Sequence, residues 1–270
     1  MRLEVAGAQA YASTGGRPHV PGRPWIIFLH GAGGNHLTWL QQSRALAYDG
    51  WNVLAPDLPG HTLSEGLPIG DIAGQARWVL ALMDEAGAES AVLVGHSMGG
   101  LVMLELARMA PKRVDGMVII ASAAAIPVNR NLIDMADTAE DTAILAMTSW
   151  ALGPDAIVND NNWPGGAHAG AGIRFMHQNH EGVLSVDLKA CAAYADGIDA
   201  AGKVACPTLC ILAGLDRMTP PKNGKALADA LAASETLVIE GAGHTLPAER
   251  PRQVNAAIRD FLERRVPKKA

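Results

Sequence analysis

Six short apolar runs, separated by longer amphipathic stretches, narrow this chain to an α/β architecture. The runs at 25–31 (WIIFLHG), 51–57 (WNVLAPD), 91–97 (AVLVGHS), 115–122 (DGMVIIAS), 207–214 (PTLCILAG) and 235–244 (ETLVIEGAGH) predict strands. None alternates apolar with polar residues, which is the pattern of strands covered on both faces. The expected core is therefore a mostly parallel twisted central sheet with helices on both sides. At 270 residues with 49% hydrophobic and 18% charged side chains, the chain suits one large domain plus an insertion.

Helix signals fall between the runs. Asp71 is placed to cap a helix whose apolar face carries Ile72, Ala76, Val79, Leu80 and Met83, with Gly87 as its stop. A second helix runs from Met98 to Ala110 and is closed by Pro111, and a last one, from about Arg252, turns Val254, Ile258, Phe261 and Leu262 inward. The N-terminal LEVAGAQAYAS predicts an antiparallel hairpin at the sheet's edge. The rhythm breaks at 124–196: one helical run, LIDMADTAEDTAILAMTSWAL, then a cluster rich in Gly, Asn and Pro, then two short helical segments with no strand. Within an α/β chain this reads as an inserted helical lid at 124–196, leaving 1–123 and 197–270 as the core.

Bulk chemistry excludes several functions. A net charge of −5, with no basic stripe beyond short runs such as Pro267-Lys268-Lys269, argues against nucleic acid as a partner. The N-terminus carries Glu4 and no continuous apolar stretch, so neither a secretory signal nor a membrane span is expected. Cys191, Cys206 and Cys210 form no CxxC pair and are expected to be small apolar side chains in a cytoplasmic protein. His36, His61, His168, His177 and His180 show no ligand spacing with carboxylates, so no metal is expected.

One spacing carries chemistry. GHSMGG at 95–100 holds the GxSxG pattern, weak by itself in a chain with 29 glycines. Its context is stronger: Ser97 follows an apolar strand directly and precedes a helix, at the carboxyl end where open α/β sheets place their ligands. At such a sharp turn a β-carbon on Gly95 or Gly99 would collide with its neighbours. A serine hydroxyl needs a base oriented by an acid. His244 follows the last strand, and Asp216 follows the one before it. Asp57 is the rival acid, since it also ends a strand, but it precedes a Pro-Gly turn that it is expected to cap. His30 and His96 are expected to brace the loops around the turn.

With Ser, Asp and His in this order, the chain resembles an α/β-hydrolase fold enzyme. HGAGG at 30–34 is similar to that family's oxyanion loop, DLPGHTLSEG at 57–66 to its DxPGxGxS turn, and GHSMGG to its nucleophile elbow. His61 is taken to stand where a glycine is common, which predicts only a local backbone change. The resemblance implies Ser97 as nucleophile, His244 as base and Asp216 as its acid, with an oxyanion hole from the backbone N–H groups of Ala32 and Met98. It implies no cofactor and a small-molecule substrate.

Met147, Trp150, Trp163, Arg174 and Phe175 lie in the lid region and are candidates to line the pocket. The resulting expectation is a serine hydrolase of a small ester, lactone or related carbonyl compound. Two alternatives share these motifs. One is a carbon-carbon bond hydrolase of ring-cleavage products; the other is a receptor or cofactor-free oxygenase on the same fold.

Overall fold

The computed structural model describes residues 1–158 and 167–266, so Trp163 and the basic run at 267–269 lie outside the described residues. Eight strands form one sheet: β1 (Arg2–Val5), β2 (Ala8–Ser13), β3 (Trp25–Leu29), β4 (Asn52–Pro56), β5 (Ala91–His96), β6 (Val114–Ile120), β7 (Thr208–Ala213) and β8 (Ser234–Ile239). Their spatial order is β1-β2-β4-β3-β5-β6-β7-β8. β1 and β2 form the expected antiparallel hairpin at the edge, and β2 meets β4 antiparallel; every pairing from β4 to β8 is parallel.

The reason for the continuous apolar runs is visible in β3. Ile27 and Leu29 enter one buried cluster while Ile26 and Phe28 enter the other, so successive residues both need apolar side chains. The first cluster is closed by α2 (Ile72–Ala86) and α3 (Met98–Met109), the second by α1 (Leu40–Tyr48) and, at the end of the chain, α12 (Pro251–Arg265). Asp71 caps α2 by accepting the Gly74 N–H, and Gly87 ends it in the left-handed conformation. Val254, Ile258, Phe261 and Leu262 of α12 are all buried.

β8 departs from the expected pattern. It is the terminal strand of the sheet, with no strand beyond it among the described residues, and Leu237 and Val238 are exposed. It also ends at Ile239, leaving 240–244 as the loop that carries His244.

Between β6 and β7 the described residues hold six helices: α4 (Arg130–Thr138), α5 (Glu140–Ala151), α6 (Pro154–Val158), α7 (His168–Met176), α8 (Val183–Ala193) and α9 (Gly197–Gly202). The single helix expected at the start of this region is instead two, broken at Ala139, whose φ of −155 and ψ of 62 leave the helical region. The Gly, Asn and Pro cluster also contributes α6 and the start of α7. Leu132, Ile133, Ile144, Met147, Leu184 and Leu188 from these helices form a third buried cluster. Gly197 packs hard against the Ala124 carbonyl, so the segment leaves and rejoins the sheet at neighbouring points. Two further helices, α10 (Pro221–Ala230) and α11 (Leu246–Glu249), flank β8 in the chain.

Candidate active site

Ser97 sits where β5 turns into α3, with φ 52 and ψ −118. A residue other than glycine in that region carries about 1–3 kcal/mol of strain, so the surrounding bonds must hold it. Its N–H donates to the Ile120 carbonyl at 3.1 Å, and its carbonyl accepts from Gly100 N–H at 2.8 Å and from Ser122 Oγ at 2.7 Å. A β-carbon on Gly95 would lie 2.5 Å from the Gly99 carbonyl oxygen, and one on Gly99 would overlap the Leu29 carbonyl. The glycines are thus required by close approach of backbone to backbone.

The sheet order brings the other loops to this point. Leu29 pairs with Gly95, so the loop after β3 runs beside the elbow, and a β-carbon on Gly31 would lie 3.1 Å from Ser97 Cβ. Ala213 pairs with Ile239, which sets the loops bearing Asp216 and His244 side by side. His244 Nδ1 is 2.8 Å from Asp216 Oδ2. A carboxylate can only accept, so Nδ1 carries a proton, and in the neutral ring Nε2 is the nitrogen with the lone pair. Asp216 Oδ1 accepts from Met218 and Thr219 N–H groups at 2.8 and 2.9 Å, and Oδ2 also accepts from Thr219 Oγ1 at 2.8 Å. Burial opposes ionisation of Asp216, but the His244 ring and these donors prevail and hold its carboxyl below the usual range.

The histidine loop is itself fixed. His96 Nε2 donates to the His244 carbonyl at 2.8 Å, and the two rings stand 4.8 Å apart. Burial pushes His96 down to about 3, so it stays neutral. Glu249, fully buried, accepts from Gly243 N–H at 2.8 Å, Gly153 N–H at 3.2 Å and Thr245 Oγ1 at 2.8 Å, tying this loop to the end of α5. Asp57 does not approach His244: its carboxylate accepts from His36 N–H at 2.7 Å and lies 2.8 Å from His36 Nδ1. It braces the β3 and β4 loops.

Ser97, His244 and Ala32 open into one cavity of about 490 Å³, a size suited to a small organic ligand. Met147, Trp150 and Phe175 line it, with Trp150 partly exposed at 42%. Arg174 does not: its side chain is exposed on α7. Met98 begins α3 directly after Ser97, whose side chain makes no capping hydrogen bond, so the positive end of the helix dipole lies at Ser97. Cys191 reaches the cavity wall, yet burial pushes its thiol well above the ordinary range, as expected of an inert apolar side chain. Cys206 and Cys210 are likewise unpaired. Among the described residues no group of three His, Cys, Asp or Glu side chains could hold a metal ion, and no helix is long and apolar enough to cross a membrane.

Sequence reasoning missed Ser122, Thr219, Glu249 and Asp187. It also misplaced the glycine position of the 57–66 turn. Counting from Asp57, the second glycine of DxPGxGxS falls on Thr62, and Thr62 is the residue with positive φ, at 41. His61 is instead a buried side chain that meets Asp187 Oδ2 at 2.9 Å.

Comparison with known proteins places this geometry among relatives. A segment of the dihydrolipoyllysine-residue acetyltransferase component of the acetoin cleaving system from Pseudomonas putida is 30% identical over 247 residues, 88% of this chain. The chain spans only 63% of that protein's length and 28% of its Cupriavidus necator counterpart. The pimeloyl-[acyl-carrier protein] methyl ester esterase of Neisseria meningitidis is 27% identical over 254 residues, covering 88% of this chain and 92% of that one. The crystal structure of the enol-lactonase from Burkholderia xenovorans superposes with a TM-score of 0.88 at 25% identity, covering 97% of this chain and 100% of that one. The alpha/beta hydrolase family profile matches residues 26–257, a span that takes in the elbow, both neighbouring loops and the His244 loop. A match over that much of the sequence, on this sheet order, means that the chain belongs to the alpha/beta hydrolase family.

Proposed function

We propose that the protein is a serine hydrolase that cleaves a small ester or lactone through an acyl-enzyme on Ser97. The observation that carries this reading is the 2.8 Å contact between His244 Nδ1 and Asp216, with His244 and the strained Ser97 facing one cavity. Ser97 Oγ attacks the substrate carbonyl while His244 Nε2 takes its proton, and Asp216 holds the imidazolium in place. The oxyanion rests on the N–H groups of Ala32 and Met98. His244 then protonates the leaving group and activates a water that frees the acyl group from Ser97. The helices between β6 and β7 act as the lid. The names of the Neisseria esterase and the Burkholderia enol-lactonase support carbonyl-oxygen bonds as the target. Three unpaired cysteines suit a cytoplasmic setting.

The cavity wall narrows the substrate class. It is largely apolar, with Ile126, Val128, Leu132, Met147 and Met218 among its lining side chains. The preferred substrate is thus an apolar ester or lactone.

Product release from a panel of simple esters, hydroxylated esters, lactones and ring-cleavage dienoates tests this. The expected result is turnover of esters or lactones, with a higher kcat/KM for the apolar simple esters than for the hydroxylated ones. Turnover of dienoates alone assigns the site to carbon-carbon bond cleavage instead.

A further inference from the structure

We propose that Asp187, on α8, is a positioning residue for the oxyanion hole, and that the helical segment between β6 and β7 therefore completes the catalytic site as well as covering it. The inference rests on the hydrolase reading above. Asp187 is fully buried, and its Oδ2 accepts from the Gly33 N–H at 2.8 Å and lies 2.9 Å from His61 Nε2. Gly33 directly follows Ala32, whose N–H is the oxyanion donor.

Two rigid peptide planes meet at Ala32, and each is held. The first contains the Gly31 carbonyl and the Ala32 N–H; its oxygen accepts from His30 Nδ1 and from Gly34 N–H, both at 2.9 Å. The second contains the Gly33 N–H, held by Asp187. On the far side of Gly33, its carbonyl accepts from Asn179 Nδ2 at 2.7 Å, and Thr62 Oγ1 donates to Asn179 Oδ1 at 2.8 Å. Asp187 and Asn179 both belong to the inserted segment, so the loop's geometry depends on that segment being docked.

The surroundings of His61 favour its protonated form. His61 Nδ1 faces the carbonyls of Leu58 and Pro59 at 3.2 and 3.1 Å, and Nε2 faces a carboxylate. A ring whose two nitrogens meet only acceptors is satisfied only when both carry protons. Burial works against the cation, but the charge of Asp187 and its hydrogen bond raise the pKa of His61 above its ordinary value. The other groups facing it are compatible. His30, 4.7 Å away ring to ring, is neutral because its Nε2 accepts the Leu58 N–H, and burial pushes it down to about 4. Asp57 adds a second negative charge nearby, and the Cys191 thiol, one turn along α8, stays protonated. Asp187 and His61 thus meet as a buried pair between α8 and the 57–66 turn, and the same carboxylate oxygen holds the oxyanion loop.

The test compares wild type, Asp187→Asn and Asp187→Ala by ester kinetics and by the Ki of a trifluoromethyl ketone, whose adduct with a serine places an oxyanion in the hole. Asp187→Ala is expected to lower kcat about 10- to 100-fold with KM within about twofold, and to raise Ki by the same factor. Asp187→Asn, which keeps an acceptor for Gly33, is expected to lose less. A merely structural role would not make Ki track kcat/KM while KM stands still. If Asp187→Ala fails to fold, judged by circular dichroism, Asp187→Asn decides on the same readouts. Folded variants with wild-type kcat and Ki overturn the inference alone. A wild type that neither turns over esters nor binds the ketone overturns the hydrolase reading and this inference with it.

Discussion

Ser97→Ala and His244→Ala are each expected to lower kcat/KM for an ester by about 10⁴- to 10⁶-fold, and the double variant is expected to be scarcely worse than either. The hydroxyl is a poor nucleophile without the imidazole, and the imidazole has nothing to deprotonate without the hydroxyl, so removing one removes the function of both. Residual turnover over water then comes from the oxyanion donors and the cavity, which neither substitution touches. Steady-state kinetics on the three variants checks this. If the two single effects multiply in the double variant, the residues act separately and the assignment is wrong.

The second large effect is expected from Asp216→Asn: a fall in kcat of about 10⁴-fold with the fold retained. The direction follows from the hydrogen bonds. Oδ1 accepts from the Met218 and Thr219 N–H groups, so an amide NH₂ cannot stand there without two donors meeting. The Asn side chain must place its NH₂ where Oδ2 was, 2.8 Å from His244 Nδ1. It then donates to Nδ1 and forces the proton onto Nε2, the nitrogen that has to receive the proton from Ser97. Thermal denaturation by circular dichroism, run beside the kinetics, separates this loss of chemistry from unfolding. Activity within tenfold of wild type would place the orienting acid elsewhere.

Features set by local sequence were legible before the structure. The apolar runs of the parallel strands, the Asp71 and Gly87 caps, and the Gly-x-Ser-x-Gly elbow each depend on residues a few positions apart. Exposure of β8 was not legible, because Thr236, Leu237 and Val238 read like core residues until their strand is known to be last in the sheet. Nor was the break at Ala139, since no proline or glycine marks it. The motif containing His61 drew attention to backbone conformation, whereas the side chain's partner lies 126 residues away on α8. Glu249 and Asp187 share that difficulty: a lone carboxylate on a helix reads as solvated until the fold buries it. Arg174 is the converse, a residue suited to a pocket that the turn of α7 leaves in water.

The central claim, that Ser97 forms a covalent acyl-enzyme, is tested most directly by intact-mass measurement after treatment with a fluorophosphonate. The account predicts one adduct per chain on wild-type protein, mapped to Ser97 by peptide mass and absent from Ser97→Ala. Folded wild-type protein that gains no mass, or an adduct that persists in Ser97→Ala, would contradict it.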